Sequence, residues 1–162
     1  MVEVLPPQAV NSFPKTIPFS SRQHIMLQLP RQDADLENTG TWAKYTPKLC
    51  HHCAASCCSL PVEVQAGDLV RMGLIDEFSL QEDPKYIARR LIKERLVEHF
   101  HARTATFTLA RRASGDCIYL DSQTRRCSIY TNRPDTCRNH PGIGPRSGYC
   151  AFRKNPHNSI SL

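Results

Sequence analysis

The chain has no apolar run long enough to cross a bilayer. It also lacks the start of an exported protein: MVEVLPPQAV has no basic opening, and Pro6 and Pro7 break the apolar stretch that such a signal needs. No Gly-rich phosphate loop occurs, and there is no G-x-S-x-G turn for a nucleophilic serine. His99 and His101 stand without an H-E-x-x-H context, so they read as surface or helix-end residues. Asp116 and Asp121 flank a short apolar run, where acids form turns more often than they catalyse. The sequence therefore makes no positive case for an enzyme and leaves the question open. Aromatic residues are only 7% and hydrophobic residues 40%, which is lean for a core and leaves part of the folding energy to be found elsewhere.

What is abundant is cysteine. There are eight, and four fall within nine residues: Cys50, Cys53, Cys57 and Cys58. An exported chain would pair them as disulfides; with no export signal, the expectation is a reducing cytoplasm and eight metal ligands. Cys50-x2-Cys53 places two sulfurs on one tight turn, an arrangement that zinc and iron both accept. A disulfide between the adjacent Cys57 and Cys58 would close a strained ring, so the two are expected to serve different purposes. His51 and His52 read as solvated spacers. Bound metal would supply the folding energy that the thin core does not.

The formal charge of +6 invites a nucleic-acid reading. Residues 85–112 carry eight basic side chains against Glu94 and Glu98, a local excess of +6 that equals the whole surplus. Metal-bound thiolates are anions and would cancel much of it. Nucleic acid is thus a possible partner but not the favoured one, and no membrane partner is expected.

Along the chain, residues 1–48 hold six of the twelve prolines and read as an extended arm, with one short extended piece over 22–29 and Trp42 and Tyr45 as core anchors. Residues 49–152 form the expected metal-binding domain and 153–162 a C-terminal tail. Within the domain, 60–64 predicts a strand, and a short helix follows from Ala66, capped by Gly73 and with Asp68 suited to its dipole. Asp83-Pro84 opens a helix that the spacing of Ala88, Ile92, Leu96 and Phe100 carries to residue 100. Residues 104–110 read as a strand, 117–120 and 127–130 as a hairpin bringing Cys117 toward Cys127, and 132–138 as a helical turn carrying Cys137. The stretch around Cys150 reads as loop. The fold class expected is α+β: a small single domain with short helices and a small antiparallel sheet built around a cysteine-ligated metal centre, preceded by an irregular N-terminal arm.

Cys50-x2-Cys53-x3-Cys57-Cys58, then Cys117-Ile-Tyr-Leu-Asp, Cys127-Ser-Ile-Tyr and Arg133-Pro-x2-Cys137-Arg138, resembles the YkgJ-type cysteine-cluster family, whose members are described as zinc- or iron-chelating. The blocks recur in the family's order over about residues 49–150. Family members often have a glycine and one fewer residue where this chain has Ala54-Ala55-Ser56. The resemblance implicates Cys50, Cys53, Cys57, Cys58, Cys117, Cys127 and Cys137 as metal ligands; Cys150 is added on the residues alone. Arg133 and Arg138 match the family's block and are expected to donate to thiolates or a neighbouring carbonyl, with Tyr119 and Tyr130 packing over the site. The cofactor expected is a cysteine-ligated metal, either an iron–sulfur cluster or zinc; eight sulfurs exceed the needs of one structural zinc and tilt the reading toward the cluster. The functional classes left open are an iron–sulfur redox or electron-transfer protein, a structural-zinc module docking a partner through its basic helix, and a reactive-thiol protein.

Overall fold

The computed structural model describes residues 32–156. The expected extended piece at 22–29 lies outside them. Among the described residues the architecture is mixed α+β, with short helices and two small antiparallel sheets. One sheet has three strands in the order β2 (Glu63–Val64), β4 (Thr106–Leu109), β3 (Val97–His101). The other pairs β1 (Ala43–Lys44) with β5 (Tyr149–Cys150). Four helices accompany them: α1 (Pro47–Cys50), α2 (Ala66–Arg71), α3 (Pro84–Lys93) and α4 (Asp135–Asn139). No described helix is long and apolar enough to cross a membrane.

Local chemistry sets the helix ends. At α2, Gln65 and Asp68 form a reciprocal capping box, with the Gln65 N–H donating to Asp68 Oδ2 at 3.1 Å. Beyond its last turn Gly73 takes φ +72°, and Leu74 N–H returns to Leu69 O at 2.9 Å in a Schellman closure. Asp83 caps α3 by accepting from Lys85 N–H at 2.9 Å, with Pro84 at the first helical position.

The helix expected to reach residue 100 ends at Lys93 instead. Arg95 adopts φ +59°, Arg95 N–H donates to Ile92 O and Leu96 N–H to Leu91 O, and the chain reverses into β3. It is the same Schellman closure as in α2, made here by a non-glycine residue. β3 then forms a hairpin with β4, pairing His101 with Thr106 and Phe100 with Phe107. The hairpin expected over 117–130 contracts to one bridge, Leu120 with Cys127. Tyr149 and Cys150, expected in loop, form β5; Ala43 and Lys44, which pair with them, lie far upstream in the sequence.

Two apolar cores result. The larger gathers Val62, Val64, Leu69, Ile87, Leu91, Val97, Phe107 and Leu109 with their neighbours between the three-stranded sheet and helices α2 and α3. The smaller consists of Ala34, Trp42 and Ala151. Trp42 anchors the described part of the arm, its indole N–H donating to Asp35 O at 2.9 Å. The cysteine-rich segments run beside both.

Candidate metal centre

The block opens on the single turn of α1, where Cys53 N–H points back to Cys50 O at 3.5 Å. The chain then needs a sharp reversal, which Ala55 makes at φ +56° and ψ +42°. This left-handed residue falls within the three-residue gap where the family often has a glycine, and glycine adopts that conformation without the Cβ clash. The reversal leads into a 3-10 turn, Ser56–Ser59, that carries Cys57 and Cys58.

Backbone pairing brings the remote cysteines to this block along two routes. On one, residues 148–155 run beside 43–54. Cys53 bridges Lys154, Ala54 N–H donates to Arg153 O at 2.8 Å, Asn155 N–H to His52 O at 2.8 Å, and Tyr45 N–H to Gly148 O at 2.9 Å. This places Cys150 near Cys50 and Cys53. On the other, Cys117 N–H donates to Cys58 O at 2.8 Å, and the Leu120–Cys127 bridge is reinforced by Ser128 N–H donating to Tyr119 O at 2.8 Å. Cys137 enters from α4, where it packs on the larger core as Tyr119 and Ile129 do. Buried Asp68 fixes that helix by accepting the Asp135 N–H at 2.9 Å and Arg71 Nη1 at 2.9 Å, while Thr136 Oγ1 donates to Glu63 O at 2.6 Å.

All eight cysteines are free thiols; Cys117 is buried, Cys50 exposed and the rest half-buried. Their electrostatic neighbours divide them in the same two ways. Burial raises the pKa of Cys50 and pushes Cys150 up to about 11, with Cys53 and Cys50 adding to the rise at Cys150. The Tyr45 hydroxyl is hydrogen-bonded to Cys50. Burial also raises Cys117 and Cys127, and pushes Cys137 up to about 12 with help from Cys58, Cys117 and Cys127. Cys58 is raised first by its hydrogen bond with Cys57 and then by burial. Desolvation without a cation disfavours the thiolate in each case, and a bound metal reverses that balance.

Arginines supply the nearby positive charge. Arg125 donates Nε to Ala54 O at 2.9 Å and grips Asp116 with both terminal nitrogens at 2.7 and 3.1 Å, while Ser59 Oγ donates to Asp116 at 2.9 Å. The Arg125 guanidinium holds the Asp116 carboxyl below the usual carboxylate range. Arg125 is also within electrostatic reach of Cys53 and Cys58, as Arg133 is of Cys50, Cys127 and Cys137. Arg133 Nε donates to Tyr130 O at 3.0 Å, and Arg138 donates to the carbonyls of Arg133 and Thr131. Both arginines therefore bond to carbonyls, one of the two roles expected for them. Tyr119 is half-buried beside the thiols, but Tyr130 is 63% exposed and lies against Arg133 instead of covering the site.

Asp116 and Arg125 were not expected to belong to the site. Asp121 does form a turn, accepting from Gln123 N–H, Thr124 N–H and Thr124 Oγ1. Nothing in the spacing reveals that the same turn swings Arg125 back onto Ala54. His99 and His101 are exposed on β3.

The donor set suits a thiophilic metal: eight unpaired sulfurs, most of them desolvated, with arginines to offset the charge of bound thiolates. Among the described residues, no three Cys, His, Asp or Glu side chains already close on one point as an ion would need. A family model described as "Putative zinc- or iron-chelating domain", with the signature CxxCxxCC, matches residues 49–156. No solved structure matches the chain.

Proposed function

Since the chain belongs to the CxxCxxCC family of zinc- or iron-chelating domains, we propose that its cysteines hold metal, and that iron bound as an iron–sulfur cluster makes it a redox or electron-transfer protein. The observation that carries the reading is eight free thiols on five stretches of chain, several of which backbone pairing runs side by side. The ligands are drawn from Cys50, Cys53, Cys58, Cys117, Cys127, Cys137 and Cys150, with Cys57 as the hydrogen-bond partner of Cys58. The metal domain spans 49–152 and works in a reducing cytoplasm, where such thiols stay unpaired. When bound, the metal supplies electron-transfer capacity if it is iron, or a rigid cross-link if it is zinc. The chain's own residues exclude water and bring positive charge: Tyr119 half-buried beside the sulfurs, Arg125 and Arg133 as counter-charges.

A second reading has its own support. Phe78, in the 3-10 turn Phe78–Gln81 that precedes α3, and Tyr86, in the first turn of basic α3, are 83% and 63% exposed, and α3 carries Lys85, Arg89, Arg90 and Lys93. That surface suits a zinc-stabilised module docking a protein through mixed apolar and cationic contacts. Anaerobic purification separates the readings. Broad visible absorption that dithionite bleaches supports the cluster, whereas a colourless chain carrying zinc supports the docking module.

A further inference from the structure

We infer that the chain builds two separate sulfur-ligated metal centres: a closed one on Cys58, Cys117, Cys127 and Cys137, and an open one on Cys50, Cys53 and Cys150 whose fourth position is left to an exchangeable donor. The inference rests on the metal-binding reading and extends it to the number and character of the sites.

Backbone pairing supports the division, the side chains of each set having still to turn in on an ion. Cys53 and Cys150 are held by pairing between the segments 43–54 and 148–155, the second of which contributes Ala151 to the smaller core. Cys58, Cys117 and Cys127 are held by bonds among 58, 117–120 and 127–128, with Cys137 packed on the larger core. A single divalent ion takes four sulfurs, so these seven cysteines on two scaffolds exceed one site and nearly fill two.

Charge placement agrees. Four thiolates around a divalent ion carry two net negative charges and three carry one, so neighbouring centres repel. Arg125 reaches toward Cys53 of one set and Cys58 of the other, and Arg133 toward Cys50 of one and Cys127 and Cys137 of the other. Both cations thus serve both sets, where they offset that repulsion.

The two sets also differ in their extremes of access, the other five ligands being half-buried. Cys117 is buried, and Cys137 sits against the core on an anchored helix. Cys50 is exposed, at the end of a one-turn helix, with the Tyr45 hydroxyl beside it. Closed four-sulfur sites keep their metal for structure, while three-ligand sites with an open position exchange ligands. The open set is therefore suited to giving up or accepting a metal ion.

The test uses the full chain, reduced and loaded with Zn²⁺ as the probe, with zinc counted by mass spectrometry and its release to a colorimetric chelator followed in time. Two zinc ions per chain are expected, released in a fast and a slow phase of equal amplitude. Cys50→Ser and Cys150→Ser should each keep one zinc and lose the fast phase, with the helical circular dichroism signal of the larger core retained. Cys137→Ser should keep only the fast phase; if it fails to fold, the first two variants decide alone. One zinc per wild-type chain, release in one phase, or a folded Cys150→Ser chain that keeps both zinc ions or loses both would overturn the two-centre inference while sparing metal binding. A chain that takes no zinc and no iron would remove the metal-binding reading as well.

Discussion

Adjacent cysteines differ in what their surroundings allow them to do. Cys58 shares its backbone carbonyl with Cys117 N–H and stands within electrostatic reach of Cys117, Cys127 and Cys137, whereas Cys57 is tied to it by a thiol hydrogen bond. Cys58→Ser should therefore remove one equivalent of metal, and Cys57→Ser should leave the metal content unchanged, both read by elemental analysis of the purified chains. Equal loss in both would show that the pair ligates as a unit. His140 offers a test that does not involve sulfur. Burial lowers its pKa, and its Nε2 is buried without a hydrogen-bond partner. The unfolded imidazole takes a proton near pH 6.5, before the folded one does, so this contribution to stability is complete above about 6.5 and is lost as pH falls through the folded value. His140→Gln should narrow the drop in urea midpoint between pH 7.5 and pH 5 relative to the wild type; an unchanged drop would mean that His140 titrates alike in both states.

Helix ends show what the sequence could and could not reveal about the elements. Asp83-Pro84 marks the start of α3 because a carboxylate cap and a proline at the first turn act locally. Its end is hidden, since Arg95 takes a left-handed conformation that residue type does not advertise, and the four-residue spacing of Ile92, Leu96 and Phe100 imitates a continuing helix. Ile92 is in fact 43% exposed. At α2 the same closure is legible, because the left-handed residue there is Gly73. The comparison fixes the sign of two substitutions. Arg95 is exposed and its left-handed φ costs roughly 1 kcal/mol, so Arg95→Gly should stabilise the chain by a few tenths to about 1 kcal/mol after the extra unfolded-state entropy of glycine. Gly73→Ala should destabilise it by about 1 kcal/mol. Urea unfolding of both variants under the same metal loading checks this, and a destabilised Arg95→Gly would mean that the arginine side chain itself holds the reversal.

The whole molecule is held together unevenly, and this is where metal removal should show. Local spacing marked the cysteines as candidate ligands, but which of their segments run side by side was not legible, because it depends on pairings between distant parts of the chain: β1 with β5, Cys53 with Lys154, Cys58 with Cys117. The larger core closes on its own sheet and helices, with the Phe100–Phe107 ring contact at 4.8 Å across its hairpin. The smaller one, Ala34, Trp42 and Ala151, is too slight to order the segments that carry Cys50, Cys53 and Cys150 unaided. Bound metal would supply the missing cross-link, and its binding energy is then folding energy for that half. Stripping metal with a chelator under reducing conditions should lower the melting temperature by on the order of 10 °C or more, the equivalent of a few kcal/mol in a chain of this size. Hydrogen exchange should locate the loss. The amides of Ala34, Tyr45 and Ala54, whose acceptors are Phe152, Gly148 and Arg153, should lose protection, while those in the β3–β4 hairpin keep theirs. If protection were lost evenly across both cores, the metal would be stabilising the molecule as one cooperative unit, and the smaller core would hold without its own centre.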